Sequence, residues 1–328
     1  MSAALPEGDW LASERARAAL GMLDATLRSV LRPRDVQFRV MVSHLLQRGG
    51  KRLRPALVLL AGEFGEFVPR RLLRGAAAVE LLHIASLYHD DVMDRAGSRR
   101  GGDSVNARWG NAAAVLAGTY LFARAAGLIG EMGAEPTRLT AAAIDGLCTG
   151  QLSEMESAFD TGLTEEEHLE VIERKTASLF ELPCRLGAYL AGCSEKTVES
   201  LGAYGRHLGV AFQLADDALD FLGDPDTLGK DPRADLPKGV YSLPVLHVLR
   251  SPSPGGERLR DLLGRLRPTL GELDEAVELV RASGAVEEAL ALAQKRAGLA
   301  VRALSTLPED APRVSLQELA AFAVKRRA

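Results

Sequence analysis

Nowhere in its 328 residues does the sequence alternate apolar and polar positions through a β-branched stretch bounded by turns. Helix is therefore the element left to bury apolar side chains. Ala, Leu and Arg, all good helix formers, are the commonest residues, Glu is also frequent, and aromatic residues make up only 5%. Helices are expected from about Asp9 to Leu31, Asp35 to Gln47, Leu53 to Phe64, Arg70 to Asp94, Ala107 to Ile129 and Pro136 to Phe159. They continue from about Glu165 to Ala191, Glu195 to Leu222 and Tyr241 to Leu249, then as shorter pieces. Thr164, with Glu167 three residues later, has the form of a capping box. The segments "RGGKRLRP", "RAGSRRGGD", "GDPDTLGKDPRADLPKG" and "SPSPGGE" are the Gly/Pro punctuation between helices. No composition break demands a second domain, so residues 1–328 are expected to form a single all-α domain, with peripheral C-terminal helices from about 257 to 328.

A hydrophobic content of 47% and a charged content of 26% allow a large core. The net charge of -4 offers no general attraction to nucleic acid or to an anionic membrane, so phosphate can be bound only by local clusters. Cys148, Cys184 and Cys193 are odd in number and lack CxxC spacing, which reads as reduced thiols in a cytoplasmic protein. The start "MSAALPEGDW" lacks the basic and apolar regions of a signal peptide, and no uninterrupted apolar run of about 18 residues marks a membrane span.

The chemistry concentrates in two places. In "HDDVMDRAGSRRG", Asp90 and Asp94 are four apart and share one helix face, while Asp91 points elsewhere. In "FQLADDALD", Asp216 and Asp220 repeat the spacing, with Asp217 beside them. Both clusters lie near helix C-termini, where each carboxylate is disfavoured by roughly 0.3–1 kcal/mol in addition to mutual repulsion. A cation is needed, and oxygen ligands of this kind suit magnesium held together with water and substrate phosphates. Cations follow: Arg99 and Arg100 after the first cluster, Lys230 after the second, and Lys51, Arg52 and Arg54 beside Gly49 and Gly50. Lys175, mid-helix among apolar residues, is expected to face a polar cavity. Metal ions bridging aspartates to phosphate, with cations on the remaining oxygens, favour departure of diphosphate.

From Gly49 to Pro244 these motifs, "GGKRLRP", "HDDVMDRAGSRRG", "GQLSE", "KTASLF", "FQLADDALD" and "GKD", resemble in order and spacing the trans-isoprenyl diphosphate (polyprenyl) synthase family. The resemblance implies an all-α isoprenoid-synthase helical bundle around a deep central cavity, working as a homodimer. It implies that Asp90, Asp94, Asp216 and Asp220 hold Mg2+, about three ions once substrate is bound, with Asp91 and Asp217 as nearby ligands or supports. It assigns Lys51, Arg54, His83 and Arg100 to isopentenyl diphosphate, and Arg99, Lys175, Thr176, Gln213 and Lys230 to the allylic diphosphate. Gln151 and Glu154 match an element lining the cavity. The partners implied are the two diphosphates, with peripheral membrane contact for product release and neither a membrane span nor nucleic acid.

By the same resemblance, Ala85 and Ser86, five and four residues before Asp90, set product length. Both are small, so products from heptaprenyl to decaprenyl are expected, unless Tyr88 or Phe122 forms a floor. Two departures from the family pattern are Val240, where many relatives carry lysine and for which Lys238 could substitute, and Thr119 after Gly118. The competing readings are a short-chain farnesyl or geranylgeranyl diphosphate synthase, a class I terpene cyclase and a subunit of a heteromeric synthase.

Overall fold

The computed structural model describes residues 10–222, 233, 235–265 and 268–325. Its helices are α1 Glu14–Gly21, α2 Leu23–Val30, α3 Val36–Gln47, α4 Leu53–Gly62, α5 Pro69–Met93, α6 Val105–Trp109, α7 Asn111–Gly130 and α8 Ala134–Glu156. There follow α9 Glu165–Ile172, α10 Ser178–Leu190, α11 Glu195–Leu222, α12 Leu243–Arg250, α13 Pro254–Leu263, α14 Leu270–Ala282, α15 Ala285–Ala303 and α16 Ala311–Lys325. The all-α expectation holds, with one addition. Ser98–Arg99 (β1) and Gly102–Asp103 (β2) form a two-stranded antiparallel ladder too short to show as a pattern.

Three expected helices are interrupted for local reasons, and that from Ala107 to Ile129 breaks at Gly110, whose φ of 87° separates α6 from α7. The first expected helix is divided at Met22, whose N–H bonds the Ala19 carbonyl in a tight turn. The expected Glu165–Ala191 helix contains a π-helical turn at Glu173–Ala177 between α9 and α10. The capping box of Thr164 and Glu167 is present at the start of α9.

The chain divides into two compact units. The first comprises the described residues up to 142 together with 179–203 and 304–319. Its centre is α5, which packs against α4 and α7. Pro69 occupies the start of α5, where a missing N–H costs nothing. Leu72, Ala76, Leu81, Ile84 and Tyr88 are all fully buried, and a helix apolar on most sides is a core helix. Arg52 and Glu80 form a buried ion pair, with Asp24 3.7 Å from Arg52. Removing one partner of such a pair costs about 3–5 kcal/mol, because the other charge stays buried. Ser315 ties the ends of this unit: its hydroxyl accepts from the N–H groups of Ala12 and Ser13 at 3.0 and 3.1 Å.

The second unit comprises 143–178, 204–303 and the described residues from 320. Its core is built from Ile172 and Ala177, from Val210, Leu214 and Phe221 of α11, and from Leu243 and Leu246 of α12. The helices expected at the periphery, from about 257 onward, supply Leu259, Leu262, Val277, Val280 and Ala289 to the same core.

Among the described residues, α7 is long and apolar enough to cross a membrane by length and composition. Its Ala114, Ala117, Leu121, Ala125 and Leu128 are buried, and it packs on α5. Val115 and Leu116, at 44% and 63% exposure, lie on its open side.

Candidate active site

The first unit gathers arginines around one histidine. His83 and Arg54 meet at 3.2 Å, and since arginine can only donate, His83 Nε2 accepts and its proton lies on Nδ1. The Arg54 guanidinium also lies 4.5 Å over the Phe180 ring, and its buried Nε has no hydrogen-bond partner. Burial pushes the Arg54 pKa down to about 10, with the Arg100 charge lowering it further and Glu80 opposing. His83 is held well below the usual histidine range by burial first, and then by Arg54, Arg100, Arg52 and Arg99. A neutral histidine and crowded, desolvated cations form a seat that a bound anion would relieve.

Backbone geometry builds this seat. Gly49 and Gly50 both have positive φ, and a Cβ at Gly50 would meet the Arg100 guanidinium at 2.9 Å, so the loop needs glycine there. Arg100 and Gly101, with φ of 50° and 71°, form the two-residue turn joining β1 to β2. That turn gives adjacent arginines different tasks. Arg100 donates to the carbonyls of Leu45 and Gly49, whereas Arg99 turns back to Asp91. Arg52 is a correction to the sequence reading: it is no anion seat but is committed to Glu80 and the Leu46 carbonyl. Lys51 is exposed.

The first aspartate cluster is split by burial. Asp91 is fully buried; its Oδ1 accepts from Arg99 Nε at 2.7 Å and lies 2.6 Å from Arg99 Nη2, while Oδ2 has no partner. Burial raises the Asp91 pKa and the hydrogen bond from Arg99 opposes it. Asp90 is half-buried and Asp94, at the α5 C-cap, is exposed.

The second unit repeats the arrangement. Asp217 Oδ1 accepts from Gln213 Nε2 at 2.8 Å, and Gln213 Oε1 accepts from Thr176 Oγ1 at 3.0 Å. His168 Nε2 lies 3.7 Å from Asp217 Oδ2. Asp216 and Asp220 are half-buried on the same helix. In each motif the middle aspartate is held by a neighbour, and the flanking i, i+4 pairs, Asp90 with Asp94 and Asp216 with Asp220, are the candidate ligands by their shared helix face. Asp90, Asp94, Asp216 and Asp220 offer only carboxylate oxygens, a donor set that fits a hard divalent cation. Among the described residues no three His, Cys, Asp or Glu side chains form a ready metal cluster. Carboxylate pairs completed by water and phosphate are the form such an ion takes.

Lys175 lies in the π-turn and meets Glu154 Oε1 and Oε2 at 2.8 and 2.5 Å, the polar surroundings expected for it. Lys230 lies outside the described residues. Lys238 pairs with Asp235 at 2.9 Å, and Val240 is half-buried. The chain-length pair separates: at 100° per residue Ser86 lies about 40° around α5 from Asp90, and Ala85 about 140°. Ala85 is fully buried and Ser86 is 5% exposed, its hydroxyl donating to the His83 carbonyl. Tyr88 is fully buried and bonds the Met41 carbonyl on α3 at 2.8 Å, while Phe122 lies against the His89 ring. Sequence reasoning missed the Arg99–Asp91 support and His168, which have no spacing signature, and also the Gln213–Asp217 support, an i, i+4 helix pair that the spacing could have given.

The family model described as Polyprenyl synthetase matches residues 36–280. The chain belongs to the polyprenyl synthetase family. It is a trans-prenyltransferase that condenses isopentenyl diphosphate with an allylic diphosphate. Among similar polyprenyl synthetases, the nonaprenyl diphosphate synthase of Mycobacterium tuberculosis is 37% identical over 97% of this chain and 96% of its own. The geranylgeranyl diphosphate synthase of Methanosarcina mazei is also 37% identical, over 74% of this chain and 76% of its own. The crystal structure of a Caulobacter crescentus polyprenyl synthase complexed with calcium and isoprenyl diphosphate superposes with a TM-score of 0.90 at 37% identity, covering 95% of this chain and 96% of that one.

Proposed function

We propose that this polyprenyl synthetase makes a long all-trans product, heptaprenyl to decaprenyl, as a cytoplasmic homodimer using Mg2+. In this reading residues 1–328 act as one functional domain. The observation that carries the site assignment is His83, whose Nε2 accepts from the half-buried Arg54 at 3.2 Å and whose ring is held neutral by burial and by Arg54 and Arg100. Lys51, Arg54, His83 and Arg100 seat isopentenyl diphosphate. Arg99, Lys175, Thr176, Gln213 and Lys230 hold the allylic diphosphate, whose departure leaves an allylic cation; the isopentenyl double bond attacks it, and the new carbocation loses a proton to the released diphosphate. Mg2+ held by Asp90, Asp94, Asp216 and Asp220 would supply charge neutralisation for the leaving diphosphate. Asp91 and Asp217 orient their neighbours through Arg99 and Gln213. The apolar residues of α5 keep water from the reactive carbon.

Product length is supported by the small Ser86 on the aspartate face of α5, by Tyr88 being committed to α3, and by relatives named for nonaprenyl and heptaprenyl products. Ala85 completes the proposed pair. A geranylgeranyl product is the second reading, favoured by the relative from Methanosarcina mazei. The test is product analysis of the purified chain with Mg2+, isopentenyl diphosphate and farnesyl diphosphate, alongside Ser86→Phe and Ala85→Phe. Long linear products that shorten in Ser86→Phe support the reading. Products ending at geranylgeranyl, or unchanged in both variants, overturn the chain-length assignment.

The exposed apolar side of α7 supports the homodimer, and peripheral membrane contact during product release belongs to the same reading.

A further inference from the structure

Lys175 is held from two directions. Gly150 on α8 brings that helix against the π-turn so closely that a Cβ there would lie 2.5 Å from the Lys175 N–H nitrogen. One turn further along α8, Glu154 reaches the Lys175 ammonium through both carboxylate oxygens. The same helix face therefore grips the backbone and the side chain of one residue. On its other flank, Thr176 is fixed by Gln213. The π-turn, with an extra residue in the turn, lets side chains 175 and 176 reach two different helices.

An ammonium has three donors, and Glu154 takes at most two. Among the described residues Lys175 makes no other hydrogen bond, and the pair is about a quarter exposed, 27% and 24%, so it borders accessible space. A pair this exposed adds little to stability. Its geometric effect is larger, because a flexible four-carbon stem is reduced to one direction with a donor to spare.

We propose that Glu154 is a positioning residue for the allylic diphosphate, aiming the remaining donor of Lys175. The inference rests on the reading that Lys175 seats that diphosphate. It is tested with the full chain by steady-state kinetics of Glu154→Gln, Glu154→Asp and Lys175→Ala, varying farnesyl and isopentenyl diphosphate separately and recording the melting temperature of each. Glu154→Gln is expected to raise KM for farnesyl diphosphate about tenfold, the loss of one aimed charge-assisted bond. KM for isopentenyl diphosphate and the melting temperature stay constant, and Glu154→Asp recovers part of the loss. An unchanged or lower KM for farnesyl diphosphate in Glu154→Gln overturns the proposal, the lower value marking Glu154 as a competitor for the lysine. Both KM values rising with a fall in melting temperature also overturn it, in favour of a structural role. If Lys175→Ala leaves KM for farnesyl diphosphate unchanged, the underlying seat assignment fails instead.

Discussion

His83 sits two helical turns before Asp90 and accepts a hydrogen bond from Arg54, an arrangement that works only with a neutral ring. Its folded pKa lies below the unfolded value near 6.5. As pH falls through about 6.5 the unfolded chain takes a proton that the native ring refuses, so native stability is lost on the acid side. The melting temperature of the unmodified chain is expected to fall between about pH 7 and pH 5, and His83→Asn to show a shallower fall. Equal slopes would mean that another group governs this range. Asp91 illustrates a different point at the same scale. Sequence marks it as one of three aspartates, but burial and the bond from Arg99 separate it from the other two, which supports the role proposed for it.

At the scale of elements, the decisive contacts are close backbone approaches. Gly146 and Gly150 lie one turn apart on α8, facing the backbone of Arg174 and Lys175. Gly150→Ala gains up to about 1 kcal/mol of helix propensity. It also places a methyl group where the π-turn backbone lies, and overpacking of this kind costs about 1–3 kcal/mol. The net expectation is a lower melting temperature together with a higher KM for the allylic diphosphate, since Lys175 moves with the turn. A stabilised variant with unchanged kinetics would show that the turn yields freely. The hairpin of β1 and β2 works the same way: a left-handed pair at Arg100 and Gly101 decides that one arginine meets Asp91 and the other the end of α3.

At the scale of the whole molecule, α7 presents Val115 and Leu116 to the outside, and its apolar length is explained on one side by packing against α5. A second copy of the chain is the proposed cover. Leu116→Glu is expected to shift the chain from dimer to monomer in light scattering, because an unpaired charge in an apolar interface is costly to desolvate. An unchanged mass would place the dimer contact elsewhere.

The sequence by itself determined the helical class, the two aspartate motifs at i, i+4 spacing, the glycine-bounded arginines and the family, because periodicity, helix-end signals and short motifs are local properties. Tertiary structure alone decided which member of each cluster does what. Arg52 and Arg54 are two residues apart and equally basic, yet one is tied to Glu80 while the other meets His83. Asp90 and Asp91 are adjacent, yet only Asp91 is fully buried. Lys175 meets Glu154, twenty-one residues earlier, only through the fold. Charge, burial and hydrogen-bond supply are set by neighbours distant in the chain, and only the folded arrangement brings those neighbours together.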